Sequence, residues 1–250
     1  MTRFARSANL SDAAKIPGGT GEAIGNVEPA TCAACGAPRT GSFCATCGQR
    51  ALDQRHTVRG LVGGAFRRLF NVEGGLTHTL IQLAVNPGGV VRDYLAGRTI
   101  MYTHPVAYVI VAFAVFVFAF RWTGGMGGGG LERVSTGTIP LFLAITSRIV
   151  FWRTGLNYAE HLILNMFLFA QVVVILTGAL ILGSVMPEPA RLIVVAGALA
   201  VACVYVLWSY SRVFSRRPVL AAVGGLLVLI LGMSLWGGTL LTVVWLARGA

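Results

Sequence analysis

Residues 105–120 read PVAYVIVAFAVFVFAF, sixteen positions without a charge. With Tyr102 and Trp122 at its edges the stretch reaches 21 residues, about 31 Å as a helix and enough for a bilayer's hydrocarbon core. Three more apolar runs follow at 162–186, 192–210 and 219–246, separated by Pro187-Glu188-Pro189 and by Arg212, Arg216, Arg217 and Pro218. Each is long enough to cross. Composition agrees: 55% of the 250 residues are hydrophobic, 12% are charged, and mean hydropathy is +0.73. Soluble domains carry about 25% charged residues, so a wholly soluble protein is excluded.

Segment 139–152 (IPLFLAITSRIVFW) is shorter, fourteen residues with Arg148 inside, or about 21 Å of helix. Its length suits a re-entrant or interfacial piece, but charge placement argues for a fifth crossing. Eleven of the twenty basic residues precede residue 105, which marks the N-terminal side as cytoplasmic. Four crossings from there leave Arg212, Arg216 and Arg217 outside, whereas five return them inside, with Arg148 snorkelling beside Arg153. The expected fold is an all-α transmembrane helical bundle over 102–247, of four to five membrane segments with five favoured.

Ahead of the bundle, residues 1–31 are rich in Gly, Ala, Ser and Pro without apolar periodicity and read as a disordered leader. No signal-peptide apolar core is present in them, so the N-terminus is expected in the reducing cytoplasm. Residues 57–97 read as amphipathic interfacial helices. Val58, Leu61, Val62, Ala65, Phe66, Leu69 and Phe70 form one stripe, with Arg59, Arg67 and Arg68 off it. Asn86 and Pro87 are placed to cap and open a further helix that ends at Gly97.

Between leader and helices, at 32–49, stand Cys32-Ala-Ala-Cys35-Gly36 and Cys44-Ala-Thr-Cys47-Gly48. Two such knuckles supply four thiolates in a tetrahedron, which suits Zn²⁺ with bonds of about 2.3 Å. A rubredoxin-like iron site or a redox dithiol pair uses similar spacing. The glycine after each second cysteine permits the turn that points backbone N–H groups at sulfur. Arg39, Arg50 and Arg55 are near in sequence to offset the charge of four thiolates around a dication. Four ligands close the shell, so the metal is structural rather than catalytic. The ribbon cannot build its own core, and metal binding must supply most of its folding free energy. Cys203, in an apolar run, is expected to be a buried small hydrophobe.

These blocks (CAACG…FCATCGQ, FNVEGGLTHTL…NPGGVVRDYLAGR…YTHP, IPLFLAI…NYAEHLILNMFLFAQ) resemble, over about residues 32–215, a bacterial family of multi-pass membrane proteins with an N-terminal zinc ribbon, known only as a domain of unknown function. The resemblance implies a cytoplasmic-membrane location and no established activity. The chain departs from that pattern at Met166 and Phe169, where relatives carry polar or His residues.

Polar residues inside apolar segments are the remaining candidates. Glu160, His161, Asn165 and Gln171 form one cluster; His161 and Asn165, at i and i+4, share a helix face. Glu160 and His161 are expected at headgroup depth, solvated and satisfying the helix's free N–H groups. Arg98, Tyr102 and His104, with Asp93, read as interfacial anchors and ion pairs. No GxxxxGK[ST], GxSxG, HExxH or DxD occurs, so no enzyme activity is assigned. The leading expectation is an interaction or sensing scaffold whose ribbon takes a protein partner at the cytoplasmic face. Nucleic acid is not expected, since Phe43 alone is interleaved with the module's basic residues. The alternative is a small permease or ion pathway lined by polar residues of the 160–171 helix.

Overall fold

The computed structural model describes residues 30–39, 41–50, 56–68, 75–124, 136–214 and 217–249. Two two-residue strands, β1 (Ala30–Thr31) and β2 (Pro38–Arg39), pair antiparallel around the first knuckle, and a bridge from Phe43 to Arg50 closes the second. Three short helices follow: α1 (Val58–Arg68), α2 (Leu76–Val85) and α3 (Pro87–Leu95). Then come α4 (Pro105–Trp122), α5 (Ile139–Val150), a 3₁₀ turn (Trp152–Thr154), α6 (Tyr158–Ser184), α7 (Glu188–Val213) and α8 (Pro218–Gly249). The chain divides into two compact units, residues 1–107 and 108–250.

In the first unit, local chemistry sets the helix ends. Asn86 caps α3, its side-chain oxygen accepting the Gly89 N–H at 3.1 Å, with Pro87 in the first turn. Gly97 adopts φ +88°, and its N–H donates to Tyr94 O while Arg98 N–H donates to Asp93 O. Those paired bonds are a Schellman closure, for which a left-handed glycine is the low-strain residue. Leu83 of α2 and Val90, Val91, Tyr94 and Leu95 of α3 are buried, and of the described side chains of the α1 stripe Leu61 is buried and Val58 and Val62 are exposed. Leu69 and Phe70 fall outside the described residues, as does the leader up to residue 29. Ala30 and Thr31, assigned to the leader by sequence, instead pair with Arg39 and Pro38.

In the second unit α6 packs on α5 and α7, and α8 packs on α5 and α7. Among the described residues four helices, α4, α6, α7 and α8 through Trp245, are long and apolar enough to cross a membrane. The segment for which charge placement favours a fifth crossing forms α5, a shorter apolar helix. Helix α5 has 12 residues, about 18 Å, because Pro140 opens it and the chain turns into the 3₁₀ segment after Val150, ending at Gly155 in the left-handed region. It lies as a short helix against α6 and α8. Phe118, Ile193, Val204 and Leu241 are exposed, as helices that face lipid require. Cys203 is exposed on α7 rather than buried: an apolar run that faces lipid has no need to hide its small hydrophobes.

Glycines of α8 let it approach its neighbours. A Cβ at Gly224 would stand 2.7 Å from Phe151 Cζ, and one at Gly225 would stand 3.1 Å from three Tyr210 atoms. Of the small-residue pairs in the sequence, Ala221/Gly225 lies in this contact, whereas Ala196/Ala200 and Ser234/Gly238 face outward.

Candidate functional site

The two knuckles are built alike. Cys32 N–H donates to Ala37 O and Gly36 N–H to Cys32 O; Cys44 N–H donates to Gln49 O and Gly48 N–H to Cys44 O. Gly36 and Gly48 both sit at positive φ, +74° and +73°, where a side chain would be strained. Each loop thereby turns backbone N–H groups toward its first sulfur. Burial pushes the Cys32 thiol up, yet the N–H groups of Cys35 and Ala34 hold it below its ordinary value. The Cys47 and Thr46 N–H groups bring Cys44 down to about 6. For Cys47 the Gln49 N–H opposes burial and the three neighbouring sulfurs, and the thiol is pushed up to about 12.

All four sulfurs lie within 4.8 Å of one another, with Cys32–Cys47 and Cys35–Cys44 at 3.6 Å. Tetrahedral bonds of about 2.3 Å require S···S separations near 3.8 Å, whereas a disulfide requires about 2.05 Å. The quartet therefore fits a metal ion shared by the four cysteines, and all five cysteines of the chain are free thiols.

Gln49, which the sequence reading did not single out, fixes the second knuckle to the segment after α3. Its Nε2 donates to Gly97 O at 2.7 Å, Arg50 O at 2.8 Å and Thr99 Oγ1 at 3.2 Å, and its Oε1 accepts the Ile100 N–H at 2.9 Å. The neighbouring anchors are ordered too. Arg98 pairs with Asp93 at 3.2 Å, and Tyr102 donates to the same carboxylate at 3.3 Å. Burial, then Asp93, pushes the Tyr102 phenol up to about 12. His78 lies tilted against the Tyr102 ring, centroids 5.5 Å apart, and bonds Met101 O at 3.0 Å. His104 is buried, 6% exposed.

The 160–171 candidates separate into three roles. Glu160 closes a capping box with Asn157: Glu160 N–H donates to Asn157 Oδ1 at 2.9 Å and Asn157 N–H to Glu160 Oε2 at 2.7 Å. Contrary to the solvated reading, Glu160 and His161 are 1% and 0% exposed, because α5 and the end of α7 cover the start of α6. His161 Nδ1 and Asn165 Nδ2 meet Ser147 Oγ of α5, each at 3.0 Å, and Tyr210 of α7 donates to Asn165 Oδ1 at 2.9 Å. Gln171 stands apart, its Oε1 accepting the Tyr108 hydroxyl at 2.7 Å. His161 and Asn165 are thus brought together with two residues, Ser147 and Tyr210, that no motif marks. His161 Nε2 has no hydrogen-bond partner among the described residues.

Residues 73–117, which hold the NPGGVVRDYLAGR block and the first thirteen residues of α4, match a protein family of unknown function, DUF3667. No curated protein and no solved structure matches the chain.

Proposed function

We propose that the protein is a non-enzymatic membrane scaffold whose four cysteines hold a structural Zn²⁺ and whose ribbon presents a docking surface to a protein partner on the cytoplasmic side of a bacterial inner membrane. The observation that carries the reading is the closed quartet of sulfurs beside Phe43, an aromatic left 63% exposed on a module too small to have a core. Exposed aromatics of this kind are the usual anchors of protein interfaces. The cytoplasmic placement draws on the reduced thiols and on the excess of arginine before residue 105.

A photo-crosslinker at Phe43 in the full chain in cells tests it. One recurrent protein adduct that disappears in Cys44→Ser supports the scaffold. Adducts to lipid alone, or an adduct indifferent to loss of the metal, overturn it. The permease alternative draws on the buried His161 Nε2, which has no hydrogen-bond partner among the described residues, and is separated by ion or solute flux into proteoliposomes that His161→Gln abolishes.

A further inference from the structure

The first unit contains a cleft of about 340 Å³ between the second knuckle, the start of α2 and the segment before α4. Gly48, Gln49, Arg50, Gly75, Tyr102 and Thr103 contribute to its wall, and among the described residues Arg50 is its one charged side chain and no carboxylate lines it. Most of its polar groups are already engaged: the Gln49 amide with Gly97, Thr99 and Ile100, and the Tyr102 hydroxyl with Asp93. Thr103 differs. Its N–H donates to Thr79 Oγ1 at 2.8 Å, but its own hydroxyl, on a side chain in a residue 7% exposed, has no partner among the described residues. A buried hydroxyl left alone is costly.

Helix α2 opens at this hydroxyl. Gly75 gives it no side-chain cap, and its first turn holds no acid. A Cβ at Gly75 would stand 3.1 Å from Thr103 N and 3.3 Å from Thr103 Oγ1, so the helix start and the hydroxyl share one spot. The positive end of the helix, a hydroxyl donor and a guanidinium on one cleft select an anion rich in acceptor oxygens. Thr103 and His104 run directly into Pro105, the first residue of apolar helix α4, which puts the cleft at the chain's entry to the bilayer, where phosphate headgroups stand.

We propose that this cleft binds a phosphate oxyanion, carried by a phospholipid headgroup or free in solution. The site goes beyond the ribbon's role as a docking surface and does not depend on which partner the ribbon takes.

Calorimetric titration of the purified full chain in non-ionic detergent tests it. The ligands are inorganic phosphate, dihexanoyl-phosphatidylglycerol below its micelle concentration, and dihexanoylglycerol, which has the same tails and no phosphate. At least one phosphate ligand saturates at one per chain and dihexanoylglycerol does not. Saturation by inorganic phosphate identifies a free-phosphate site, and saturation by phosphatidylglycerol alone a headgroup site. Arg50→Gln weakens binding about tenfold and Thr103→Val about fivefold. Arg39→Gln, whose guanidinium donates to Gly41 O away from the cleft, leaves it unchanged. Metal content per chain reports ribbon integrity, and Thr103→Val decides the matter if Arg50→Gln sheds metal. The proposal fails if neither phosphate ligand saturates, if dihexanoylglycerol binds as tightly as phosphatidylglycerol, or if the Thr103→Val protein binds like the parent.

Discussion

Gln49 and Ile100 are joined across fifty-one positions of sequence by a 2.9 Å bond from the Ile100 backbone N–H to the Gln49 side-chain oxygen. The same amide's nitrogen serves Gly97 O, so one buried side chain holds the second knuckle to the Schellman turn that ends α3. Replacing Gln49 by Leu leaves the buried Gly97 carbonyl and the part-buried Ile100 N–H without this partner, at a cost on the order of 2 kcal/mol. The sulfurs are untouched, so metal content is expected to stay at the parent level while limited proteolysis cuts between residues 50 and 58 many times faster. Loss of metal together with protection would contradict this account.

The link between Tyr210 and Asn165 ties α7 to α6 inside the second unit, and Asn165 passes it on to Ser147 of α5. Interhelical hydrogen bonds within apolar bundles are worth about 0.6–1.7 kcal/mol. A double-mutant cycle of Tyr210→Phe and Asn165→Leu, read by unfolding in mixed micelles, should give a coupling of about 1 kcal/mol. Additive effects would show the two side chains to be merely adjacent.

Gly225 explains why Tyr210 keeps that position. Tyr210 is fully buried and stacked on Phe151 at 5.4 Å, so it has little freedom to yield to a methyl group 3.1 Å away. Gly225→Ala is expected to destabilise the bundle by about 1–2 kcal/mol. Gly178→Ala, also in a helix but with nothing within 4 Å of the new Cβ, should stabilise by about 0.5–1 kcal/mol through helix propensity alone. Opposite signs in the same unfolding assay are the expected outcome; equal destabilisation would mean that crowding at Tyr210 is not the cause.

These residues also show what was legible in the chain. Asn86, Pro87 and Gly97 act on backbone groups within a few positions, and the two knuckles fold on themselves, so both could be read from spacing. The His161–Asn165 face was visible as an i, i+4 pair on α6. Its partners Ser147 and Tyr210 were not, because they come from other helices with no periodic mark. Hydropathy located the four long helices but not their facing sides: in a chain whose lipid and core faces are equally apolar, Cys203 and Val206 read alike, yet one is exposed and the other buried. The extent of α5 was not legible either, since charge parity counts crossings while Pro140 and the turn after Val150 set the helix length.

The metal centre makes a prediction whose sign follows from its thiols. Without metal at pH 7, Cys44, held at about 6, has lost its proton, whereas Cys47, pushed up to about 12, keeps it. Binding a metal ion must therefore expel at least the Cys47 proton, and affinity falls about tenfold for each unit that the pH drops, for each proton released. Below pH 6 Cys44 also carries a proton in the free ribbon, so the dependence becomes steeper there by one proton. Competition titration with a zinc chelator between pH 5 and 8, in buffers of differing ionisation enthalpy, measures both the affinity slope and the proton count. Cys47→Ser should lose the ion while circular dichroism of the helices stays near the parent value, because α5 to α8 pack on one another. A pH-independent affinity would mean that the sulfurs do not share one cation.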